Sequence, residues 1–313
     1  MKFPVFDLHC DTALELLSRD DRPAKSLRKN DLHIDLERAG DFGGYAQCFA
    51  CFTTPLFMDK PEIVFERELE AIVSQIERNQ DLIRLTYSPE DIEKNRTSGI
   101  SSAILTIEGP AGFGFDPAML EDLHKIGFRM TTLGWNEHNP LTGSHKTGEG
   151  LSDLGKVYVR EAQRLNMLVD VSHISDRGFW DIIDITEKPI VASHSNSRAV
   201  RPVSRNLTDD MFRAICQTGG VAGINLYTDF LGKNADLDTV CDHIFRFMEL
   251  DPSGTHIALG GDLDGCDTLP DGFAGVQDYD KLAHRLLLRG LDEKQVYNIF
   301  WNNALGVMKR CCM

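Results

Sequence analysis

Eight short apolar runs alternate with longer amphipathic segments, no linker or charge block divides them, and candidate metal ligands follow five of the runs. Together these predict an α/β fold, a single (β/α)8 TIM barrel over residues 1–313 with long βα loops after strands one and four. Apolar runs of four to eight residues suit strands buried on both faces, and a helix between each pair makes the sheet parallel. The third observation matters because the carboxyl ends of all barrel strands share one rim, where side chains distant in sequence meet.

Strand one, Phe3–Leu8, stops at His9-Cys10-Asp11. In an extended backbone residues i and i+2 share a face, so His9 and Asp11 converge while Cys10 points away. The charge-dense segment Arg19–Asp41 reads as a βα insertion carrying short structure. Strand two, Tyr45–Phe52, contains Cys48-Phe-Ala-Cys51; inside an apolar run and with no second CxxC nearby, it reads as core and not as a redox or zinc motif. A helix over Pro61–Asn79 begins on a first-turn proline. Strand three, Ser102–Ile107, leads to Glu108, and after a helix over Pro117–Lys125 comes strand four, Phe128–Leu133. The Gly-, His-, Thr- and Asn-rich excursion Asn136–Gly150 follows, of the kind that carries function.

The second half repeats the pattern more tightly. Helix Ser152–Leu165 opens on a serine cap; strand five, Met167–Val171, leads to His173, and helix Asp176–Ile185 starts on an aspartate. Strand six, Pro189–Ala192, leads to Ser193-His194-Ser195. Helix Thr208–Gln217, strand seven at Gly220–Leu226, helix Leu237–Leu250 and strand eight at His256–Leu259 complete the barrel, and Gly260-Gly-Asp262-Leu-Asp264-Gly follows. Helices over Asp278–Leu288 and Asp292–Met308 close the chain, the last forming a C-terminal helix at about 292–308.

Composition narrows the function classes. A formal charge of −15 argues against nucleic acid, which needs a basic surface, and no stretch approaches the roughly 18 apolar residues of a membrane span. The N-terminus MKFPVFDLH has neither a long apolar region nor a small-residue cleavage site, so a cytoplasmic protein is expected. Eight cysteines in a chain this long are then free thiols, and Cys311-Cys312-Met313 is no prenylation box.

A buried core histidine explains one strand-end histidine. It does not explain three histidines and three acids, His9, Asp11, Glu108, His173, His194 and Asp262, all in that position. Imidazole nitrogen with carboxylate oxygen is a ligand set for zinc, and manganese, iron or cobalt suit it too. Five ligands exceed what one zinc takes, so two metals about 3.5–4 Å apart are expected, with Glu108, between the two groups in chain order, as the bridge.

The motifs Asp7-Leu-His9-Cys-Asp11-Thr, Ile107-Glu108-Gly, Asp170-Val-Ser-His173-Ile-Ser, Ser193-His194-Ser195-Asn-Ser, Ser204-Arg205-Asn206-Leu and Gly260-Gly-Asp262-Leu-Asp264-Gly occur in one order. In this the chain resembles the membrane dipeptidase (renal dipeptidase) family of amidohydrolase-like barrels, as a bacterial-type soluble member, from residue 7 to about residue 265. The resemblance implies a binuclear zinc dipeptidase that often tolerates a D-residue on the C-terminal side and often forms homodimers. It implies that His9 and Asp11 hold one ion, His173 and His194 the other, that Glu108 bridges them, and that Asp262 does acid/base work. Arg205 matches the arginine that grips the substrate's C-terminal carboxylate. The implied chemistry is coherent: two cations acidify a shared water whose hydroxide attacks the amide, a positioned carboxylate moves the proton, and an arginine fork selects a free C-terminus.

Some positions stay open. Arg198 and Arg201 compete with Arg205 for the clamp, and only the Ser-Arg-Asn match favours Arg205. Mammalian-type relatives carry a substrate-binding histidine after strand four, where this chain has Trp135; His138 and His145 are the alternatives, and Tyr227 at the end of strand seven is a further pocket candidate. Asp264 reads as a supporting loop residue, since the spacing fails the EF-hand pattern. The serines beside His173 and His194 point away from them on a strand and read as support or packing. A lactonase- or phosphotriesterase-like relative bridging its metals with a carboxylated lysine is disfavoured because no lysine lies between Phe128 and His145. A non-catalytic metal-binding barrel would have lost ligands, and a Cys10 nucleophile lacks activation.

Overall fold

The computed structural model describes residues 2–18, 22–40, 42–56 and 58–312, the last without its side chain; both ends of the predicted Arg19–Asp41 insertion, and Met313, lie outside them. Among the described residues nine strands form the sheet: β1 Val5–Cys10, β2 Tyr45–Phe52, β3 Ile83–Leu85, β4 Ser101–Glu108, β5 Phe128–Thr132, β6 Leu168–Asp170, β7 Ile190–Ala192, β8 Val221–Ile224 and β9 Ile257–Leu259. Eight of them close a parallel ring in the order β1-β2-β4-β5-β6-β7-β8-β9, with β9 pairing back onto β1. The fold is therefore the (β/α)8 barrel that the alternating pattern predicts.

The ninth strand, β3, and the helix Pro89–Thr97 are absent from the sequence-based prediction. β3 pairs only with the first residues of β4 outside the ring, and its helix buries Ile92 as its one large aliphatic side chain. Neither carries apolar periodicity. The readable signal was instead Ser88 followed by Asp91, which form a reciprocal capping box with Pro89 in the first turn. Other helices stand close to their predicted bounds, with Ser152 and Thr208 capping as expected. The cap before Asp176 is Ser175, whose hydroxyl accepts from the Gly178 N–H.

Two apolar layers follow from the alternation along the strands. Phe6, Leu8, Ala46, Cys48, Ile104, Met130, Leu168, Val191, Val221 and Ala258, from eight different strands, pack inside the ring together with Trp301. Cys51 instead belongs to the layer beneath the helices, so the two cysteines of the CxxC face opposite ways, as a core role requires. The expected single helix over Asp292–Met308 is three pieces: Glu293–Tyr297, a π turn at Asn298–Asn302 and Asn303–Cys312. The wider turn carries Trp301, whose ring lies 5.7 Å from that of Phe6, into the ring interior. The C-terminal segment thus plugs the amino end of the barrel and leaves the carboxyl end for chemistry.

Both long loops lie at that carboxyl end. The described part of the first insertion holds the short helix Leu36–Ala39, capped by Asp35, and docks through His33, whose N–H donates to Asp264 Oδ1 at 2.6 Å. Asp264 Oδ2 accepts from the Thr12 hydroxyl at 2.6 Å, so this aspartate, read from the sequence as a supporting loop residue, ties the insertion to the start of helix Thr12–Glu15. Among the described residues no helix is long and apolar enough to cross a membrane.

Candidate metal centre

β1 does not run straight into its ligands. Its pairing with β2 is irregular between Asp7 and Cys10, and the Asp7 carboxylate turns to helix Tyr279–Leu288, accepting from the Tyr279 hydroxyl and from the N–H groups of His9 at 2.9 Å and Gly261 at 3.1 Å. Asp11 stands beyond the strand end, before the short helix Thr12–Glu15, with φ −102° and ψ 21°. His9 and Asp11 do converge, 3.8 Å apart at Nε2 and Oδ2, but through a bulge and a turn and not through the alternation of an extended strand. Cys10 faces away, buried under the helices.

Glu108, the last residue of β4, is central. Its Oε2 lies 3.3 Å from His9 Nε2, while its Oε1 lies 3.0 Å from His173 Nε2 and 3.7 Å from His194 Nε2. Asp262 Oδ1 is 3.8 Å from His9 Nε2, and the His9 and His194 rings stack at 3.8 Å. His9, Asp11 and Asp262 form one group able to hold an ion, and His9, Glu108 and His194 a second. The structure thus brings together all six strand-end residues that the sequence singled out. His173 (φ 68°) and Asp262 (φ 57°) hold the left-handed backbone that non-glycine residues avoid, at a cost of about 1–3 kcal/mol each. Gly265 is needed for closeness: a Cβ there would sit 2.0 Å from Asp11 Oδ2 and 2.6 Å from Asp262 Oδ1.

Hydrogen bonds outside the cluster fix what the imidazoles present. Ser193 Oγ donates to Asp170 Oδ2 at 2.5 Å, so it accepts from His194 Nδ1–H at 2.6 Å. Asn136 Oδ1 accepts from His173 Nδ1–H at 3.1 Å. Both rings therefore turn Nε2 lone pairs on one another, 2.9 Å apart, and on Glu108 Oε1. Three acceptors without a proton between them fit a cation. On the other side, His9 Nε2, Asp11 Oδ1 and Glu108 Oε2 are buried with no hydrogen-bond partner among the described residues, which would be costly unless an ion satisfies them.

The electrostatics agree. Burial, helped by the neighbouring Arg205 and His9, holds His173 and His194 well below the usual histidine range, so they stay neutral and able to ligate. Burial opposes charge on His9, yet Glu108 and Asp11 beside it hold it well above that range. Glu108 is pushed up to about 8 by burial and then by Asp11. Burial also raises Asp262, against the pull of His9. A divalent cation at the centre reverses the penalty on the carboxylates.

Asn136, Asp170 and Asn225 carry no role in the sequence-based reading, because their work depends on tertiary contacts. Asn225 Nδ2 donates to Asp262 Oδ2 at 2.9 Å and so orients the carboxylate that faces His9. The serines, expected to point away, include Ser193, which turns back onto its own neighbour. Replacing Ser193 by alanine removes the His194 Nδ1–H acceptor and is expected to lower metal affinity or activity by about 10–100-fold, measured by metal titration and kcat/KM.

Residues expected at the substrate divide. Arg205 is buried; it donates to Ser195 Oγ at 2.6 Å and the His194 carbonyl at 3.0 Å, lies over the Phe230 ring, and keeps Nε without a partner among the described residues. Arg198 is taken by a two-pronged ion pair with Asp176, and Arg201 donates to the Asp229 carbonyl at the surface. Trp135 lines a cleft of about 510 Å³ with Asp11, His33, Phe52, Asp264 and Cys266, its ring 6.2 Å from that of His173. Tyr227 packs edge-on against Phe230, over which Arg205 lies, and its N–H donates to Asn225 Oδ1 at 2.6 Å, beside the Asp262 carboxylate. His138 is not brought to the cluster: it sits exposed, its Nδ1 3.6 Å from Glu149 Oε2. His145 is the one that approaches, donating through Nε2 to Asn136 Oδ1 at 2.8 Å, and burial with nearby cations brings it down to about 3.

The family model described as membrane dipeptidase (peptidase family M19) matches residues 1–312. An uncharacterized protein from the pqqA 5′ region of Klebsiella pneumoniae is 33% identical over 263 residues, 80% of this chain and 96% of its own. An uncharacterized dipeptidase of Schizosaccharomyces pombe is 30% identical over 331 residues, 98% of this chain and 80% of its own. Among solved structures, a metallo peptidase from Rhodobacter sphaeroides liganded with a phosphinate mimic of the dipeptide L-Ala-D-Ala superposes with a TM-score of 0.88 at 25% identity, covering 99% of this chain and 100% of that one. Dipeptidase AC, a metallo peptidase of family M19, gives 0.89 at 26% identity, with 99% of each chain covered.

Proposed function

Because the chain belongs to the membrane dipeptidase family and is a metal-dependent hydrolase of that type, we propose that it is a binuclear zinc dipeptidase acting on dipeptides with a free C-terminal carboxylate, a D-residue being accepted there. The observation that carries the metal count is the divided environment of Glu108, with one oxygen toward His9 and the other toward His173 and His194. His9 and Asp11 hold one ion in this reading, and His173 and His194 the other. Tolerance of a D-residue is supported by the L-Ala-D-Ala mimic bound by the Rhodobacter protein. The ions, when bound, polarise the scissile carbonyl and acidify water.

The remaining work falls to this chain's own groups. Asp262, raised by burial and oriented by Asn225, holds a proton at Oδ1 and passes it to the departing amine. Arg205 offers its unpartnered Nε–H to the substrate carboxylate, and Trp135 and Phe52 form an apolar wall that limits access. A net charge of −15 supports a small substrate over nucleic acid, and the unpaired thiols of Cys10, Cys48, Cys51, Cys216, Cys241 and Cys266 support a reducing, cytoplasmic setting. A homodimer, implied by the resemblance, is checked by sedimentation.

Release of free amino acids from L-Xaa-L-Xaa, L-Xaa-D-Xaa and C-terminally amidated dipeptides tests the reading, before and after chelation and zinc restoration. Hydrolysis that needs both metal and a free carboxylate is the expected result; hydrolysis indifferent to chelation would sink the mechanism. Replacing Arg205 by methionine removes a charged hydrogen bond of about 1.5–3 kcal/mol, so kcat/KM for free dipeptides falls roughly 10–100-fold while the amidated series hardly changes.

A further inference from the structure

We propose that a second kind of metal site, for one zinc ion or a similarly thiophilic divalent cation, is formed by Cys216, Asp251 and His256 at the amino end of the barrel, opposite the Glu108 centre. One ligand atom from each of the three lies within 4.8 Å of the other two. Cys216 is in the last turn of helix Asp209–Thr218, Asp251 follows the end of helix Leu237–Leu250, and His256 immediately precedes β9. Three segments far apart in sequence thus place a sulfur, an oxygen and a nitrogen donor together.

The donor states suit an ion. His256 Nδ1 lies 2.7 Å from the Gly220 carbonyl oxygen, which only accepts, so Nδ1 carries the proton and Nε2 presents its lone pair. A backbone carbonyl on the far ring nitrogen is a frequent partner of metal-bound histidine. Asp251 accepts from the N–H groups of Ser253, Thr255 and His256 at 3.1–3.2 Å and from the Ser253 hydroxyl at 2.5 Å, which fixes its carboxylate, and no ion pair engages it among the described residues. Cys216 is an unpaired thiol and supplies the sulfur donor. Two helices end here, and their carboxyl-terminal carbonyls favour positive charge.

The donor set also selects the ion. Thiolate with imidazole favours zinc or cobalt over magnesium or calcium, which take all-oxygen cages. All three side chains are partly exposed, so water can complete a tetrahedron. The ion would clasp the ends of two helices to the entry of β9, a structural role remote from the peptidase rim.

The test uses the full chain, stripped by a chelator, with Co²⁺ or Zn²⁺ added alone. None of the six side chains at the Glu108 centre is a thiol, so a near-ultraviolet thiolate-to-cobalt absorption reports on a cysteine site. The expected result is that this band appears, is lost in Cys216→Ser and in His256→Gln, and persists in Cys266→Ala, the control for the cysteine lining the rim cleft. In the unaltered protein Zn²⁺ should slow alkylation of Cys216 at least tenfold, a readout that needs no variant. Peptidase activity should remain within twofold of the parent in Cys216→Ser. Absence of the band together with unprotected Cys216, or a band that vanishes only in Cys266→Ala, overturns the proposal and leaves the dipeptidase reading untouched.

Discussion

Replacing Glu108 by glutamine is expected to abolish dipeptide hydrolysis and to lower the bound metal by at least one equivalent. The substitution preserves shape in a site that is almost wholly buried, so packing changes little. What changes is that one side of the carboxylate becomes an amide NH2 facing either His9 Nε2 at 3.3 Å or His173 Nε2 at 3.0 Å. Whichever side receives it, one ion loses an anionic oxygen and meets a donor instead. Groups that merely orient a ligand cost about 10–100-fold when removed, so the loss of a shared ligand should exceed about 100-fold in kcat/KM. Metal analysis beside kcat/KM checks this, and a variant with full activity and full metal would remove Glu108 from the bridging role. A stability measurement adds a sign. In the metal-free protein Glu108 is raised to about 8, so folding takes up a proton between the ordinary carboxylate range and that pH. The metal-free parent should therefore lose stability as pH rises through that window, and Glu108→Gln should lose less.

Much of this centre was legible because its ligands sit where a barrel must put them. Eight apolar runs fixed the rim, and His9, Asp11, Glu108, His173, His194 and Asp262 all follow those runs directly. Their supporting contacts were not legible. Ser193 turns back onto His194 Nδ1, and Asn136 lies in a loop whose path no periodicity dictates, so the sequence offered both His138 and His145 without a way to choose the one that meets Asn136. The bulge in β1 and the π turn at Asn298–Asn302 are local departures from regular repeats, and repeats are what hydrophobic patterning reports. β3 and the helix Pro89–Thr97 escaped because they sit outside the ring and bury little apolar surface.

Replacing Asp262 by asparagine is expected to reduce kcat by roughly 10²–10⁴-fold, the range for loss of a positioned acid or base, with little change in KM. Asparagine tolerates the left-handed backbone that Asp262 adopts at φ 57° and keeps an oxygen for the Asn225 donor 2.9 Å away, so geometry survives while proton exchange does not. Metal content then discriminates between two duties. Asp262 Oδ1 lies 3.8 Å from His9 Nε2 and belongs with His9 and Asp11 to a group able to hold an ion. If the carboxylate only moves a proton, Asp262→Asn keeps its full metal complement and flattens the limb of the kcat–pH profile that the acid controls. If metal falls in step with kcat, as in Glu108→Gln, Asp262 is a ligand and the proton must be carried by another group. Because Asn225 already occupies Oδ2, Oδ1 is the oxygen that either duty would use, so metal content read beside the pH profile separates the proton carrier from the ligand.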